Sequence, residues 1–578
     1  MIPLASPRWQ QLTIIAQDPS VQVSSKIVRA SIDVPAEILA PGPWGHRIQV
    51  VDFDTTSNTL YKPPHYKPAP DGTVVDPFDG ASDDQLLNDP RFHAQNAYAV
   101  AMRILARFEH ALGRRVAWEF QSHHLKIVPH AFADANAFYS REDEALMFGY
   151  FRGERDTDVL TSLSHDVVAH ETTHALLDGL RQRYVEPSSP DQAAFHEAYS
   201  DIVSLLSVFA MKDVMGAILD KSLAGKRISE SVIAPNALRD SALLGLADQV
   251  GQELSGVRGN ALRQSAKLVP SLKYIEMEVY KEPHRRGEIL VAAVINAFLE
   301  VWSTRMSELR RDQNRTLDLA RVIEEGASVA DRLLTMSIRG LDYCPPVHIV
   351  FGDFLSAILT ADFEVSPDDS VYQFRKALRK SFTLYGIEPT SPSRTPEPGI
   401  WKTEEGSDRV ENLLYSRSHF ESMQRDPEEV FRFIWENRKT LSLAEGAFTR
   451  VQSVRPCVRV GDDGFLLRET IADYIQILTL QPSELSAFHL KKPKGLKTEE
   501  SIMLFGGGVL IFDEYGRLKY HVHNHLDRPK RQTKRLQQLY DYGFFSDKTD
   551  HAFGLARMHR LRSLNPSPRN LQTWRELL

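Results

Sequence analysis

The segment D-V-V-A-H-E-T-T-H-A-L-L-D-G-L, Asp166 to Leu180, decides how the chain is read. It has no proline, its one glycine stands next to the end, and Asp166 is a suitable N-terminal cap, so the pattern predicts a helix. On that helix His170 and His174 are one turn apart and project from the same face. Two imidazoles so placed can ligate one zinc ion, at Zn–N distances of about 2.0–2.1 Å. Glu171 is offset from that seam and can face an open, water-occupied position of the ion. The next predicted helix carries H-E-A-Y-S-D, His196 to Asp201. Glu197 and Asp201 are again one turn apart. Glu197 can supply a third ligand, and Asp201 can accept the remaining N–H of a ligand histidine, which fixes its tautomer and raises its basicity. H-E-x-x-H alone is short enough to arise by chance in a chain with 20 His. It would then be a surface helix with two solvated imidazoles; the downstream E-x-x-x-D helix favours the metal.

Around this centre the chain reads as an α+β protein. Its 578 residues suffice for roughly two to four domains. A net charge of −7 excludes a molecule built as a whole for nucleic acid. Two cysteines, Cys344 and Cys457, exclude a disulfide framework and a Cys-rich zinc site, and read as plain buried thiols. The start, M-I-P-L-A-S-P-R-W-Q, lacks the basic and apolar stretches of a signal peptide, and the longest apolar run, Ile289–Trp302, is interrupted by Asn296 and Glu300. It is read as a buried helix rather than a membrane span, so a cytoplasmic location without a membrane partner is expected.

Residues 1–85 are strand- and loop-rich and read as part of a catalytic lobe, with the catalytic domain continuing over 86–388. The Pro-rich stretch Pro389–Gly399 reads as a linker, and 400–578 as a separate α+β unit with strand pairs around Asp463 and Tyr515. Its tail from Leu526 carries 11 Lys/Arg against 5 Asp/Glu, a net +6 on a remainder of −13. A solvated helical tail is the commoner explanation of such a run, contact with nucleic acid or an acidic partner the sharper one. His521, His523 and His525 alternate and would share one strand face, as a second metal site or as a solvated strand end. Gly506–Gly508 reads as a bulge or close packing rather than a phosphate loop, because no Lys-Ser/Thr follows.

From about residue 85 to 390 the sequence resembles the thermolysin family of zinc metallopeptidases (gluzincins). Asn136–Ala137–Phe138–Tyr139 is similar to that family's edge strand, Leu146–Met147–Phe148–Gly149 follows at a similar interval, Asp166–Ala169 precedes the histidine pair, and Glu197–Ala198 with Ser200–Asp201 matches the third-ligand motif. The resemblance implies a β-rich N-terminal lobe, a helical C-terminal lobe and a zinc helix between them. It implies one zinc held by His170, His174 and Glu197, with Glu171 as general base of a peptide-bond hydrolase. It assigns Tyr184 and His284 to the transition state, Asp201 and Asp178 to support of the site, Asn136 and Ala137 to the substrate backbone, and Val167 and Leu262 to an apolar pocket. The arginine that would bind a substrate carbonyl is Arg263, with Arg239 as rival. The acidic cluster that binds calcium in the family is not recognisable where Val208, Phe209 and Met211 stand, so calcium is doubtful. An internal peptide is the expected substrate. The alternative is a binding or regulatory protein on a peptidase fold that acts through residues 400–578; an intact Glu171 argues against it. That unit is also a candidate restraint on activity, lying across the cleft or pairing with the edge near Asn136.

Overall fold

The computed structural model describes residues 8–541 except 24, 154–157, 221–226, 230–233, 235, 236, 238–264, 266, 310–315, 395, 404–412, 417, 462 and 497–500. The N-terminal lobe begins with the antiparallel pair β1 (Trp9–Ile15) and β2 (Arg29–Pro35) and the short β3 (Ile48–Val50). Helix α1 (Pro90–Leu112) follows, then β4 (Leu125–Ala133), β5 (Ala137–Ser140), β6 (Ala145–Arg152) and β7 (Asp158–Leu160). A short helix, Asp83–Asn88, precedes α1 and is separate from it, because Asp89 caps α1 and Pro90 occupies its first turn; a proline restricts the residue before it and cannot continue a helix. The mixed sheet has the order β5-β6-β4-β3, with β7 on the far end of β6. Strand β5 is therefore an edge, antiparallel to β6 in the register Ala137↔Phe148 to Ser140↔Ala145.

Helix α2 (His165–Leu180) carries the histidine pair and α3 (Pro190–Phe209) the E-x-x-x-D motif. Both are buried almost throughout, so the bland alternative of solvated imidazoles on a surface helix is overturned. The start of α2 differs from the expected cap. Ser164 is the N-cap and Asp166 lies in the first turn, where its charge suits the helix N-terminus. Ser189 caps α3 by accepting the Gln192 N–H at 3.0 Å, with Pro190 in its first turn. The helical lobe continues with α4 (Pro283–Leu309), α5 (Leu319–Gly340), α6 (Phe351–Val365) and α7 (Phe374–Leu384). Among the described residues one stretch, Pro283–Glu308, is long and apolar enough to cross a membrane by length and composition alone, and it is mostly buried within the protein.

The C-terminal part packs as a layer of the same core. Helix α8 (Pro427–Glu436) precedes an antiparallel sheet, β8 (Phe448–Val460), β9 (Leu466–Leu480), β10 (Ile502–Phe512) and β11 (Leu518–Asn524), paired in chain order. Strand alternation divides its apolar residues between two faces. Ile471, Val509, Ile511, Tyr520 and Val522 join the cluster built by the catalytic helices. Ala472, Tyr474, Leu510, Phe512 and Leu518 pack with Val430 and Phe433 of α8. Gly506–Gly508 sit in unbroken pairing with β9, where a Cβ at Gly507 would lie 2.4 Å from the Tyr474 carbonyl oxygen, so they serve close packing. The stretch read as a linker is strapped down. Thr390 N–H bonds to Gly352 O at 3.1 Å, the Ser391 hydroxyl to Ile400 O at 2.6 Å, and Glu397 pairs with buried Arg375 at 2.9 Å. Buried ion pairs then join the sheet to the helical lobe: Arg459 to Asp342 at 2.5 Å, and Lys519 to Glu364. Composition marked a boundary at 389–399, but the sheet beyond it completes the core.

Candidate metal centre

One turn of helix separates His170 from His174, and their ring centroids lie 4.5 Å apart. Helix α3 crosses beneath and turns Glu197 toward both. Its Oε2 is 3.4 Å from His170 Nε2 and its Oε1 is 3.3 Å from His174 Nε2. A tetrahedral ion with bonds of about 2.0–2.1 Å sets its ligand atoms roughly 3.3–3.4 Å apart, so the measured separations are those of ligands around one zinc-sized ion. Among the described residues this is the one group of three or more His, Cys, Asp or Glu side chains whose ligand atoms could share an ion, all within 4.8 Å of one another. His521, His523 and His525, with His523 Nε2 only 2.5 Å from His525 Nε2, are not such a group.

The groups behind these side chains fix which ring nitrogen faces the centre. Asp201 Oδ1 lies 2.8 Å from His170 Nδ1. His174 Nδ1 lies 2.7 Å from His196 Nδ1 and 3.2 Å from the Ser200 hydroxyl. Burial pushes His174 down to about 4, Glu197 opposing, and drives His196 well below the usual histidine range. A neutral His196 can then accept the His174 Nδ1–H, which leaves Nε2 of His174 as the lone-pair donor. His196 was not singled out in the sequence. Its position directly before Glu197, facing the same helix, was the available signal.

Glu171 is fully buried, and its Oε2 accepts the backbone N–H of Tyr139 at 3.1 Å. The edge strand is thereby held against α2. Asp178 reinforces that junction: it accepts the Tyr139 hydroxyl at 3.0 Å and pairs with Arg141 Nε at 2.7 Å. Burial nonetheless raises the Asp178 carboxyl. Tyr139 lies on the edge strand and Arg141 directly after it, so Asp178 supports the edge. Asn136 Oδ1 bends onto the N–H of Ala137 at 2.9 Å, and the Asn136 carbonyl accepts from Gly149 N–H at 2.8 Å. Val167 is buried in the main core.

His284 stands at the start of α4, its Nδ1 2.7 Å from Glu282 Oε1. Burial would raise the Glu282 carboxyl, but His284 and the N–H groups of His284 and Arg285 hold it below the usual range. Glu282 orients the ring and was missed in the sequence, although two residues is the reach of a side chain onto the next turn. Helix α4 approaches α3 closely because Gly287 has no Cβ; one there would meet Ala198 Cβ at 3.3 Å. Ala198 follows Glu197, so Gly287 permits the close approach of α4 to the helix that carries that candidate ligand. Arg286 fixes the same end by pairing with Asp191 at 2.6 Å.

Tyr184 requires a correction. It is buried, and its hydroxyl donates to Pro345 O at 2.7 Å. The proton that the resemblance gives to the transition state is committed to a loop carbonyl. Tyr184 lies in the 3-10 turn Gln182–Val185 between α2 and α3, and that turn packs into the core. Arg263, Leu262 and Arg239 lie outside the described residues.

Residues 48–178 match the family model for the thermolysin metallopeptidase catalytic domain. The matched span covers the mixed sheet and the helix with the histidine pair; the third ligand lies beyond it and rests on the geometry above. No curated protein matches the chain. Over residues 48–178 the chain is therefore similar to the thermolysin metallopeptidase catalytic domain, and the candidate metal site beside that span is formed by His170, His174 and Glu197.

Proposed function

We propose that this protein is a zinc-dependent endopeptidase in which Glu171 is the general base. The observation that carries the reading is the buried Glu197 carboxylate at 3.3 and 3.4 Å from two imidazole nitrogens, with Glu171 on the same helix as the imidazoles, offset from them toward the edge strand. His170, His174 and Glu197 would hold the ion, which when bound supplies Lewis acidity and lowers the pKa of its water to about 7. A peptide adds to the edge of β5 as a further strand, near Asn136 and Ala137. Glu171 takes a proton from the attacking water and passes it to the leaving amine. Its N–H bond from Tyr139 keeps one carboxylate oxygen oriented while the other handles the proton. His284, turned by Glu282, donates toward the oxyanion. Tyr184 has no part in this scheme while Pro345 O holds its hydroxyl.

The test separates metal from base. Glu171→Gln should retain one zinc per chain and lose turnover by at least ~10²–10⁴, whereas His174→Ala should lose the zinc itself. A Glu171→Gln protein that cuts peptides at nearly the native rate removes Glu171 from the mechanism.

A further inference from the structure

Helix α9 (Pro529–Asp541) packs on the loop that precedes β10. Its Leu536 shares a cluster with Leu485, Leu490 and Leu496 of that loop. The Lys491 N–H donates to the Thr533 hydroxyl at 3.3 Å, so the loop runs beside the middle of the helix. Gln532, Arg535, Leu536 and Leu539 turn inward. The outer face carries Lys530 and Lys534, one turn and about 6 Å apart along the axis, with Arg528 just before the first turn. The loop sets Lys491, Lys492 and Lys494 alongside. All six cations are exposed, and among the described residues none of them is held by a carboxylate. The nearby described acids are engaged elsewhere: Glu484 accepts the Gln481 N–H at 2.7 Å, Asp541 accepts from Gln537 at 3.0 Å, and Asp527 lies 3.9 Å from His525 Nδ1.

The positive sign holds when every residue of the two segments is counted. Residues 491–500 and 526–578 together carry 15 Lys/Arg against 7 Asp/Glu, a net +8 on a remainder of −15. Burial and Arg531 push the Arg535 guanidinium below the usual arginine range, Asp353 opposing, as a face of one sign requires of a cation beneath it. Lysines alone attract any polyanion. The loop adds an aromatic ring: Phe488 is 43% exposed, although it stands between Leu485 and Leu490, both buried in the shared cluster. His489 follows with a left-handed φ of 57° and is exposed as well. An acidic peptide offers such a ring nothing, and a duplex keeps its base faces stacked. A single strand offers both partners at once, phosphates for a row of cations and unstacked bases for a ring face.

We propose that the face formed by α9 and residues 488–494 binds single-stranded nucleic acid, with phosphates on the lysines and an unstacked base on Phe488. No candidate zinc ligand or catalytic group takes part, so the inference is independent of the peptidase reading. Fluorescence anisotropy of a labelled oligothymidine of about 20 nucleotides, titrated with the full chain, tests it. Unlabelled duplex of equal length, polyglutamate and phosphatidylserine vesicles serve as competitors. Saturable binding is expected, with log K falling against log salt at a slope of about −3.5 to −4 for five or six neutralised phosphates. A chain carrying Lys491→Glu, Lys530→Glu and Lys534→Glu should keep its Tm and bind about tenfold or more weakly. Phe488→Ala should weaken the single strand about fivefold or more and leave the salt slope unchanged. No saturable binding, native affinity in the triple variant or in Phe488→Ala, or displacement by duplex, polyglutamate or vesicles as effective as that by unlabelled oligothymidine would each overturn the proposal.

Discussion

A chain cut at Gly399 should not fold into an active peptidase. The truncation removes Ile471, Val509, Ile511, Tyr520 and Val522 from the cluster they share with the catalytic helices. At about 1.5–3 kcal/mol for each buried side chain, the loss is at most roughly 8–15 kcal/mol. It also strips Lys519 from Glu364 and Arg459 from Asp342, whose carboxyls lie in the interior. Asp342 retains Arg114 at 2.6 Å, and Glu364 loses Lys519 together with the sheet that covers it, so water can solvate its carboxylate and this pair adds little to the loss. Domains of this kind are stable by about 5–15 kcal/mol in all, and the deletion consumes that margin. The assay is expression of residues 1–399 beside the full chain, with thermal unfolding, zinc content and cleavage of an unstructured protein. Aggregation, or loss of a cooperative transition, is expected. A soluble, zinc-loaded fragment that unfolds at the full chain's Tm and cuts faster than the full chain would refute the shared core and restore the sheet as a removable lid.

Asp201→Asn should weaken zinc affinity by about 10–100-fold, since it removes the carboxylate 2.8 Å from His170 Nδ1; an unchanged affinity in a chelator competition counts against that role. Glu282→Gln should lower kcat roughly tenfold or more with KM nearly constant, and an effect confined to KM would make His284 a substrate-positioning group. For Asp18 the sign is that of a carboxyl raised by burial: between its unfolded value and about 6 the folded state binds more protons than the unfolded, so stability falls as pH rises through that window. Asp18→Asn should remove this slope and stabilise the protein at pH 7 by roughly 3 kcal/mol; identical pH–Tm curves for the two proteins would contradict it.

What was legible in the sequence was local. The spacing of His170, His174, Glu197 and Asp201 depends only on helix geometry, and two buried helices bring the four together. The β8–β11 strands were legible as strands, but not their place. Their near-continuous apolar runs serve two faces at once, one on the catalytic helices and one on α8, and nothing in the run says which neighbour each face meets. A Pro-rich stretch reads as a linker until its hydrogen bonds to Gly352, Ile400 and Arg375 are seen. The misplaced helix cap has a similar cause: Ser164 and Asp166 are both good caps, and the choice is made by a Ser164–Asp166 hydrogen bond inside the fold. Tyr184 was misassigned because its surroundings come from a loop about 160 residues away.

The C-terminal sheet bears on catalysis through the far end of α2. Arg181 terminates that helix, donating to Leu180 O at 2.9 Å and Leu341 O at 2.5 Å, and it lies 3.6 Å from Asp473 of β9. The helix that bears both histidines and Glu171 is therefore tied at its end to a strand about 300 residues later in the chain. Catalytic groups lose effect when displaced by as little as an ångström, so a sheet that fixes this end acts on the site without covering it. In the C-terminal sheet β10 is flanked by β9 and β11, and the two edges are β8, engaged by Gly113 O at Val458 N–H, 3.1 Å, and β11. Among the described residues β5 pairs with β6 alone, and the N–H groups of Ala137 and Tyr139 are engaged by Asn136 Oδ1 and Glu171 Oε2, so a peptide adding there, as proposed, exchanges for those bonds. The sheet is thus a layer of the shared core that fixes the end of the helix carrying the candidate ligands.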